Sequence, residues 1–254
     1  MKQRVLITAG ADGIGLAMAN CFLKNNASVW VTDINQEALK ALPDGVQGSC
    51  VNVCDEVGMR DLFCEIMQSW GGLDVLCANA GVAGPTAAID EISLKDWQNC
   101  LSVNLDGTFI ATKYAAKIFK NQEYGIINIT SSTAGQYGYP NRSPYCAAKW
   151  GVIGLMKTLS MELGSFGIRV NAICPGAVEG ERMERVLARE SKVTGLSRDK
   201  IYQGYSAGTS MQTWVEGSDI AEMAVFLSSR EARYVSGQII AVDGHTFNPN
   251  PQLS

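Results

Sequence analysis

Short apolar runs recur along the chain, and a stretch with helical apolar spacing follows nearly every one of them. The runs are RVLITA (4–9), SVWVTD (28–33), VQGSCVNV (46–53), LDVLCANA (73–80), GIINITS (125–131), IRVNAIC (168–174) and GQIIAVDG (237–244). Between them lie amphipathic stretches such as IGLAMANCFLKN (14–25) and EVGMRDLFCEIMQSW (56–70). A long helical region is expected over roughly 96–120, with further helices near 144–165 and 218–229. Strands nearly continuous in apolar residues, each separated from the next by a helix, need cover on both faces, as in a parallel sheet between helical layers. Right-handed crossovers narrow the layout to an α/β doubly wound parallel sheet of three layers, the Rossmann arrangement.

The 254 residues contain no linker, low-complexity tract or internal repeat, so a single domain is expected over 1–254. Residues 177–216 form the one excursion within it. Its charge-rich start, EGERMERVLARESK (179–192), predicts a surface helix after a strand, in the position of a substrate-covering lid.

Charge and composition exclude several classes. Lys and Arg number 21 against 25 Asp and Glu, a net charge of −4, which argues against a nucleic-acid partner. No run reaches the roughly 18 apolar residues of a membrane span, and KQRVLITAG (2–10) is broken by glycine too soon for a signal peptide. The eight cysteines form no CxxC pair, and several stand in apolar runs, so they read as reduced core fillers of a cytoplasmic protein. Cys50 and Cys54 are the one pair with an argument for a bond. With a single histidine, His245, no metal site is expected.

TAGADGIG (8–15) ends the first strand and opens the first helix. Gly10, Gly13 and Gly15, with Asp12 and Ile14 between them, allow the backbone to approach a pyrophosphate at the helix N-terminus. A plain tight turn is the competing reading. Asp33 ends the second strand, where a carboxylate accepts hydrogen bonds from adenosine ribose hydroxyls; a strand-end turn carboxylate is the alternative. A 2′-phosphate would meet like charge there, and the next residue is Ile34 rather than Arg or Lys, so NAD is favoured over NADP.

Tyr145 and Lys149, in YCAAK, stand at i and i+4 and share a helix face. An adjacent ammonium favours the phenolate and draws a phenol, whose free pKa is about 10, toward working pH. Ser132, just past the fifth strand, is expected to meet them at the C-terminal sheet edge, where open α/β sheets bind ligands.

With these residues in chain order, the chain resembles the classical short-chain dehydrogenases/reductases from Val5 to about Gly244. ANAG, containing Asn79, Ala80 and Gly81, is similar to the family's NNAG element on the adenine and ribose side. SVNLDG places Asn104 on the family's active-site asparagine. Ser132, Tyr145 and Lys149 match its serine, tyrosine and lysine, and Pro175 with Gly176 matches the turn beside the nicotinamide.

The resemblance implies an NAD-dependent enzyme that interconverts a secondary alcohol and its ketone, mainly in the oxidative direction. It implies that Tyr145 removes the hydroxyl proton as hydride passes to C4 of the nicotinamide, and that Ser132 orients the oxygen. Lys149 would depress the tyrosine pKa and hold the ribose hydroxyls. Asn104 would distort its helix, so that a carbonyl holds a water leading from Lys149 to solvent. A homotetramer, or else a dimer, is also implied. The chain departs from the family pattern at Ala9, which stands at the first glycine of TGxxxGxG, and at Ala78, the first residue of NNAG. Asn52, beside Val53, stands where an aspartate commonly binds the adenine amine. Gly180 replaces the threonine that meets the carboxamide, which leaves backbone contacts such as those at Val178.

The substrate pocket is expected around 82–85, 134–141 and the excursion. Gln136, Tyr139 and Asn141 are candidates to bind hydroxyls or a carboxylate, and Tyr137 to shape a wall. Arg142 faces either the pocket or a subunit neighbour. Arg182 is a candidate clamp for an anionic group. Against this, a solvated helix face with i,i+3 and i,i+4 charge pairs is the stronger reading for either arginine alone. A small polar substrate, a sugar or a hydroxy acid, is favoured. The main rival is a 3-oxoacyl reductase using NADPH and an acyl carrier protein; a non-catalytic nucleotide-binding scaffold is the outside alternative. His245 is expected at an interface, and the tail TFNPNPQLS (246–254) is expected to be extended.

Overall fold

The computed structural model describes residues 2–249. The strands are β1 (Arg4–Thr8), β2 (Ser28–Asp33), β3 (Val46–Cys50), β4 (Val75–Ala78), β5 (Gly125–Thr130), β6 (Ile168–Pro175) and β7 (Ile239–Val242). All pairings are parallel, in the order β3-β2-β1-β4-β5-β6-β7. The order reverses between β1 and β4, which opens a crevice at the C-terminal edge of the sheet. β4 and β5, at the centre, are buried at every position, as a sheet covered on both faces requires.

The helices are α1 (Gly13–Lys24), α2 (Gln36–Lys40), α3 (Glu56–Trp70), α4 (Leu94–Leu101), α5 (Gly107–Gln122), α6 (Ser143–Leu163), α7 (Glu181–Thr194), α8 (Arg198–Ala207) and α9 (Gly217–Ser228). Successive side chains of β1 divide between two cores, Leu6 with Phe119 and Ile127 on one face, Val5 and Ile7 with Phe22 and Ile220 on the other. Phe22 and Phe119 are almost fully buried, each stabilising the fold by roughly 1.5–3 kcal/mol. α3 shows how the local sequence sets an element's ends. The Asp55 side chain accepts from Val57 N at its start, and Gly71 at φ 68° stops it in the left-handed conformation.

The structure refines or corrects four expectations. The run 46–53 leaves the sheet at Cys50, because Asn52 turns the chain toward α3 with its side chain accepting from Cys54 N at 3.0 Å. The long helix of 96–120 is interrupted between α4 and α5 by a π-helical turn, Ser102–Asp106, where the family resemblance implied a distortion at Asn104. The excursion holds two helices, since Gly195 (φ 73°) ends α7 and Ser197 caps α8. An Arg198–Glu184 ion pair joins them, and a Val178–Val215 bridge ties the ends of the segment together. The cysteines are all free, but only Cys77, Cys100 and Cys174 are buried. Cys50 ends the edge strand and Cys64 lies off the apolar stripe of α3, so both are exposed.

Among the described residues no helix is long and apolar enough to cross a membrane. Thr246 is buried and bridges to Thr209; residues 250–254 of the tail lie outside the described residues.

Candidate active site

A cleft of about 760 Å³ runs along the C-terminal sheet edge from the glycine loop to Tyr145. At its first end, Asp12 caps α1 by accepting from Gly13 N at 2.7 Å. A Cβ on Gly15 would come within 2.0 Å of the Ala9 carbonyl oxygen, so only glycine allows α1 to begin this close to β1. Gly10 faces the other way. It is not among the cleft-lining residues, and a Cβ there would meet Val31 at 2.5 Å, so it packs under the loop. Ala9 holds φ 50°, so the residue at the family's glycine position adopts the left-handed conformation that an alanine strains to reach.

The Asp33 carboxylate lies beyond this loop and is held by two backbone amides, Ala11 N at 3.3 Å and Asn35 N at 3.0 Å. Ile34, Asn52 and Val53 line the same end. The Asn52 amide oxygen already accepts one bond from Cys54 N, and its second lone pair remains for a ligand donor. Asn79 anchors the floor: its Nδ2 donates to the Thr8 and Ala9 carbonyls, each at 3.2 Å. Ala80, Gly81, Pro175, Gly176 and Val178 continue the wall toward Tyr145.

Ser132, Tyr145 and Lys149 converge at the second end, from the turn after β5 and from α6. Pro144 in the first turn of α6 starts the helix without losing a needed donor, which fixes Tyr145 at its mouth. Lys149 is 2% exposed, its Nζ donating to Thr130 O at 2.9 Å and lying 5.7 Å from the Tyr145 ring centroid. Burial works to raise the Tyr145 phenol, but the Lys149 ammonium, the Arg182 guanidinium, the Ser132 hydroxyl and Arg142 outweigh it, and the pKa is lowered. Burial likewise lowers Lys149. Asn104, in the π-helical turn, is fully buried and donates to Val82 O at 3.0 Å and Cys100 O at 2.8 Å, while its Oδ1 has no partner among the described residues.

The substrate candidates divide. Tyr139, Arg142 and Arg182 line the cleft; Gln136, Tyr137 and Asn141 do not. Tyr137 donates to Thr246 O at 2.9 Å, and Asn141, at φ 61°, uses its carbonyl to accept from Ala87 N. The Tyr139 hydroxyl pairs with Thr133 Oγ1 at 2.8 Å, and burial pushes it up to about 12. Arg142 is buried with its guanidinium 5.1 Å from the Tyr145 ring centroid, 3.5 Å from Glu190 and donating to Ala83 O at 3.2 Å. Tyr205 donates to the same Glu190 oxygen at 2.7 Å. Local spacing does not reveal Glu190 or Tyr205 as site residues, because Glu190 meets Arg142 across 48 positions and Tyr205 meets Glu190 across 15. His245 lies near the excursion, its Nδ1 2.6 Å from Ser210 Oγ.

The architecture and cleft are those of the dinucleotide-dependent α/β oxidoreductases. Residues 8–245 match the family model described as enoyl-(acyl carrier protein) reductase. A 3-oxoacyl-(acyl-carrier-protein) reductase of Thermotoga maritima is 34% identical, covering 94% of this chain and 95% of its own. Tropinone reductase-like 1 of Erythroxylum coca is 35% identical, covering 98% and 92%. Among solved structures, an actinorhodin polyketide ketoreductase with NADPH superposes with a TM-score of 0.92 at 30% identity, covering 96% of each chain. An NAD+-bound xylitol dehydrogenase does so at 0.92 and 26% identity, covering 95% and 98%. The chain belongs to the short-chain dehydrogenase/reductase family.

Proposed function

We infer that the protein is an NAD-dependent dehydrogenase of a small polar secondary alcohol, working mainly in the oxidative direction. One observation carries the cofactor reading. The basic side chains lining the cleft, Arg142, Lys149, Arg182 and Arg185, all come from the start or body of α6 and from α7. None of these four shares an element with Asp33, where a 2′-phosphate would face a carboxylate with no cleft-lining cation among the described residues of β2 and the glycine loop to answer it. The glycine approach at Gly15 and the ribose-side carboxylate of Asp33 fit a dinucleotide. Gly13, Ile14, Asn52, Asn79, Gly81 and Val178 would help to hold it, and when bound it supplies the hydride acceptor or donor.

The chain's own part is proton handling. Tyr145 accepts the alcohol proton in oxidation and returns it in reduction. Ser132 orients the substrate oxygen, and Lys149 keeps the phenol acidic. Asn104 holds the π-helical turn against Val82 and Cys100, its free Oδ1 on the Lys149 side. Exposed Phe109 and Trp150 on α5 and α6 support self-association, in keeping with a homotetramer or dimer.

A second reading is favoured by the Thermotoga relative: reduction of a 3-oxoacyl thioester with NADPH. Initial rates with NAD, NADP, NADH and NADPH, over a panel of sugars, hydroxy acids, cyclic alcohols and a 3-oxoacyl-carrier-protein thioester, separate the two. A clear preference for NADPH with the thioester overturns the first. Tyr145→Phe is expected to lower turnover by roughly 10²–10⁴-fold with nucleotide binding kept; a variant retaining most of its rate ends the proton-transfer assignment.

A further inference from the structure

The cleft wall beside Tyr145 carries a positive charge that the protein itself does not answer. Of its four basic residues, Lys149 donates to Thr130 O, and Arg185 lies 3.3 Å from Glu181. Arg142 is tied to Glu190 and the Ala83 carbonyl. The acids of the same segment are engaged too, Glu181 by Arg185 and Glu179 by the Tyr202 hydroxyl at 2.5 Å. Among the described residues the guanidinium of Arg182, a residue exposed and lining the cleft, makes no side-chain hydrogen bond or ion pair.

Its position is unfavourable for the helix that carries it. Arg182 is in the first turn of α7, where acids such as Glu181 and Glu184 suit the macrodipole and a cation opposes it. Gly180 caps that helix without a side-chain hydrogen bond, so first-turn N–H groups are left to add to the guanidinium as anion donors. An independent sign comes from Arg142. It lines the same wall at 7% exposure, its Nε has no partner among the described residues, and Glu190, 3.5 Å from the guanidinium, only partly answers its charge. Arg142, 5.1 Å from the Tyr145 ring centroid, lies 3.5 Å from Glu190 on α7, so the helix that carries Arg182 packs at the catalytic end of the cleft.

We propose that the substrate carries an oxyanion, a carboxylate or a sulfonate, held in the cleft beside Tyr145 by Arg182 with Arg142 behind it. The inference rests on the dehydrogenase reading and names its substrate class: a short hydroxy acid or hydroxyalkanesulfonate and the matching oxo acid. The oxyanion takes no part in bond making; it fixes the carbinol against Ser132 and Tyr145.

The test is binding to the holoenzyme, loaded with whichever of NADH or NADPH it takes up and followed by nucleotide fluorescence. Propanoate, propanesulfonate and propanamide, alike in chain length, are titrated in turn. At least one anion is expected to bind about tenfold or more tighter than the amide. Arg182→Gln is expected to erase that difference while nucleotide affinity moves less than about threefold, and Arg182→Lys to restore part of it. A holoenzyme that prefers neither anion to the amide overturns the proposal, as does an Arg182→Gln variant that keeps the preference. An equal loss of nucleotide and anion affinity in that variant also overturns it, by placing the guanidinium on the cofactor diphosphate. Failure of the dehydrogenase reading shows separately, as an enzyme that binds anions but reduces no nucleotide with 2-hydroxy acids or hydroxyalkanesulfonates.

Discussion

The Lys149 ammonium donates to the Thr130 carbonyl at 2.9 Å, which fixes a buried charge between the end of β5 and the helix that carries Tyr145. The phenol titrates below its usual range because this charge and that of Arg182, with the Ser132 hydroxyl, outweigh burial. With the phenolate as proton acceptor, kcat/KM for alcohol oxidation rises with pH and levels off above the lowered Tyr145 pKa. Removing a cation weakens the phenolate, so the rising limb moves to higher pH in Arg182→Gln. The pH profile of both proteins checks this, and a limb that stays in place removes Arg182 from the electrostatics of the tyrosine.

In the proposed reading Asp33 selects the nucleotide, through a carboxylate that two loop amides, Ala11 N and Asn35 N, already orient. Asp33→Ser removes the charge that opposes a 2′-phosphate and the acceptor that serves the ribose. NAD affinity is expected to fall by about tenfold, a lost charge-assisted hydrogen bond, and the NAD-to-NADP ratio of kcat/KM to fall further. Steady-state kinetics with both nucleotides measure the ratio; an unchanged ratio means that selection lies elsewhere on the wall.

The sheet and the Ser132–Tyr145–Lys149 group were legible because their signals are local. β4 and β5 are continuous apolar runs, and i,i+4 spacing on α6 needs no tertiary knowledge. What local spacing misses is set by long-range contacts. The distortion at Asn104 is implied by the family resemblance alone, since the stretch has the apolar pattern of an ordinary helix and the side chain's bond to Val82 O spans 22 residues. Gln136 and Asn141 have the chemistry of substrate ligands, but the turn geometry at φ 61° for Asn141 takes it out of the cleft wall. Of the two expectations for Arg142, pocket or neighbour, the pocket is the one the structure shows, but its burial against Glu190, brought in by α7, is a contact that no spacing rule contains.

Ala9 is a residue under backbone strain. Its φ of 50° lies where a Cβ crowds the following carbonyl, at a cost of roughly 1–2 kcal/mol that glycine does not bear. Ala9→Gly relieves this, offset in part by greater freedom of the unfolded chain and by the lost contact of the methyl with the core. A net gain of about 0.5–1 kcal/mol is expected, seen as a rise of roughly 1–4 °C in Tm. Thermal unfolding with and without nucleotide measures it, and a fall in Tm would show that the methyl packs better than the strain costs.

Gly81 is a packing constraint on the proposed catalytic group itself. A Cβ built there comes within 2.6 Å of Asn104 Oδ1 and 3.3 Å of Lys149 Nζ, so a single methyl presses on both. Neither neighbour has room to yield: Asn104 is 0% exposed and bonded to Val82 O and Cys100 O, and Lys149 is held by Thr130 O. Overpacking of this kind costs about 1–3 kcal/mol. Gly81→Ala is therefore expected to lower Tm by several degrees and kcat by tenfold or more, an angstrom of displacement at a proton-transfer site being enough for that. Thermal unfolding and single-turnover rates with saturating nucleotide separate the two effects. A variant with a lowered Tm but an unchanged rate would show that the Lys149–Tyr145 geometry tolerates the shift and that Asn104 alone absorbs it.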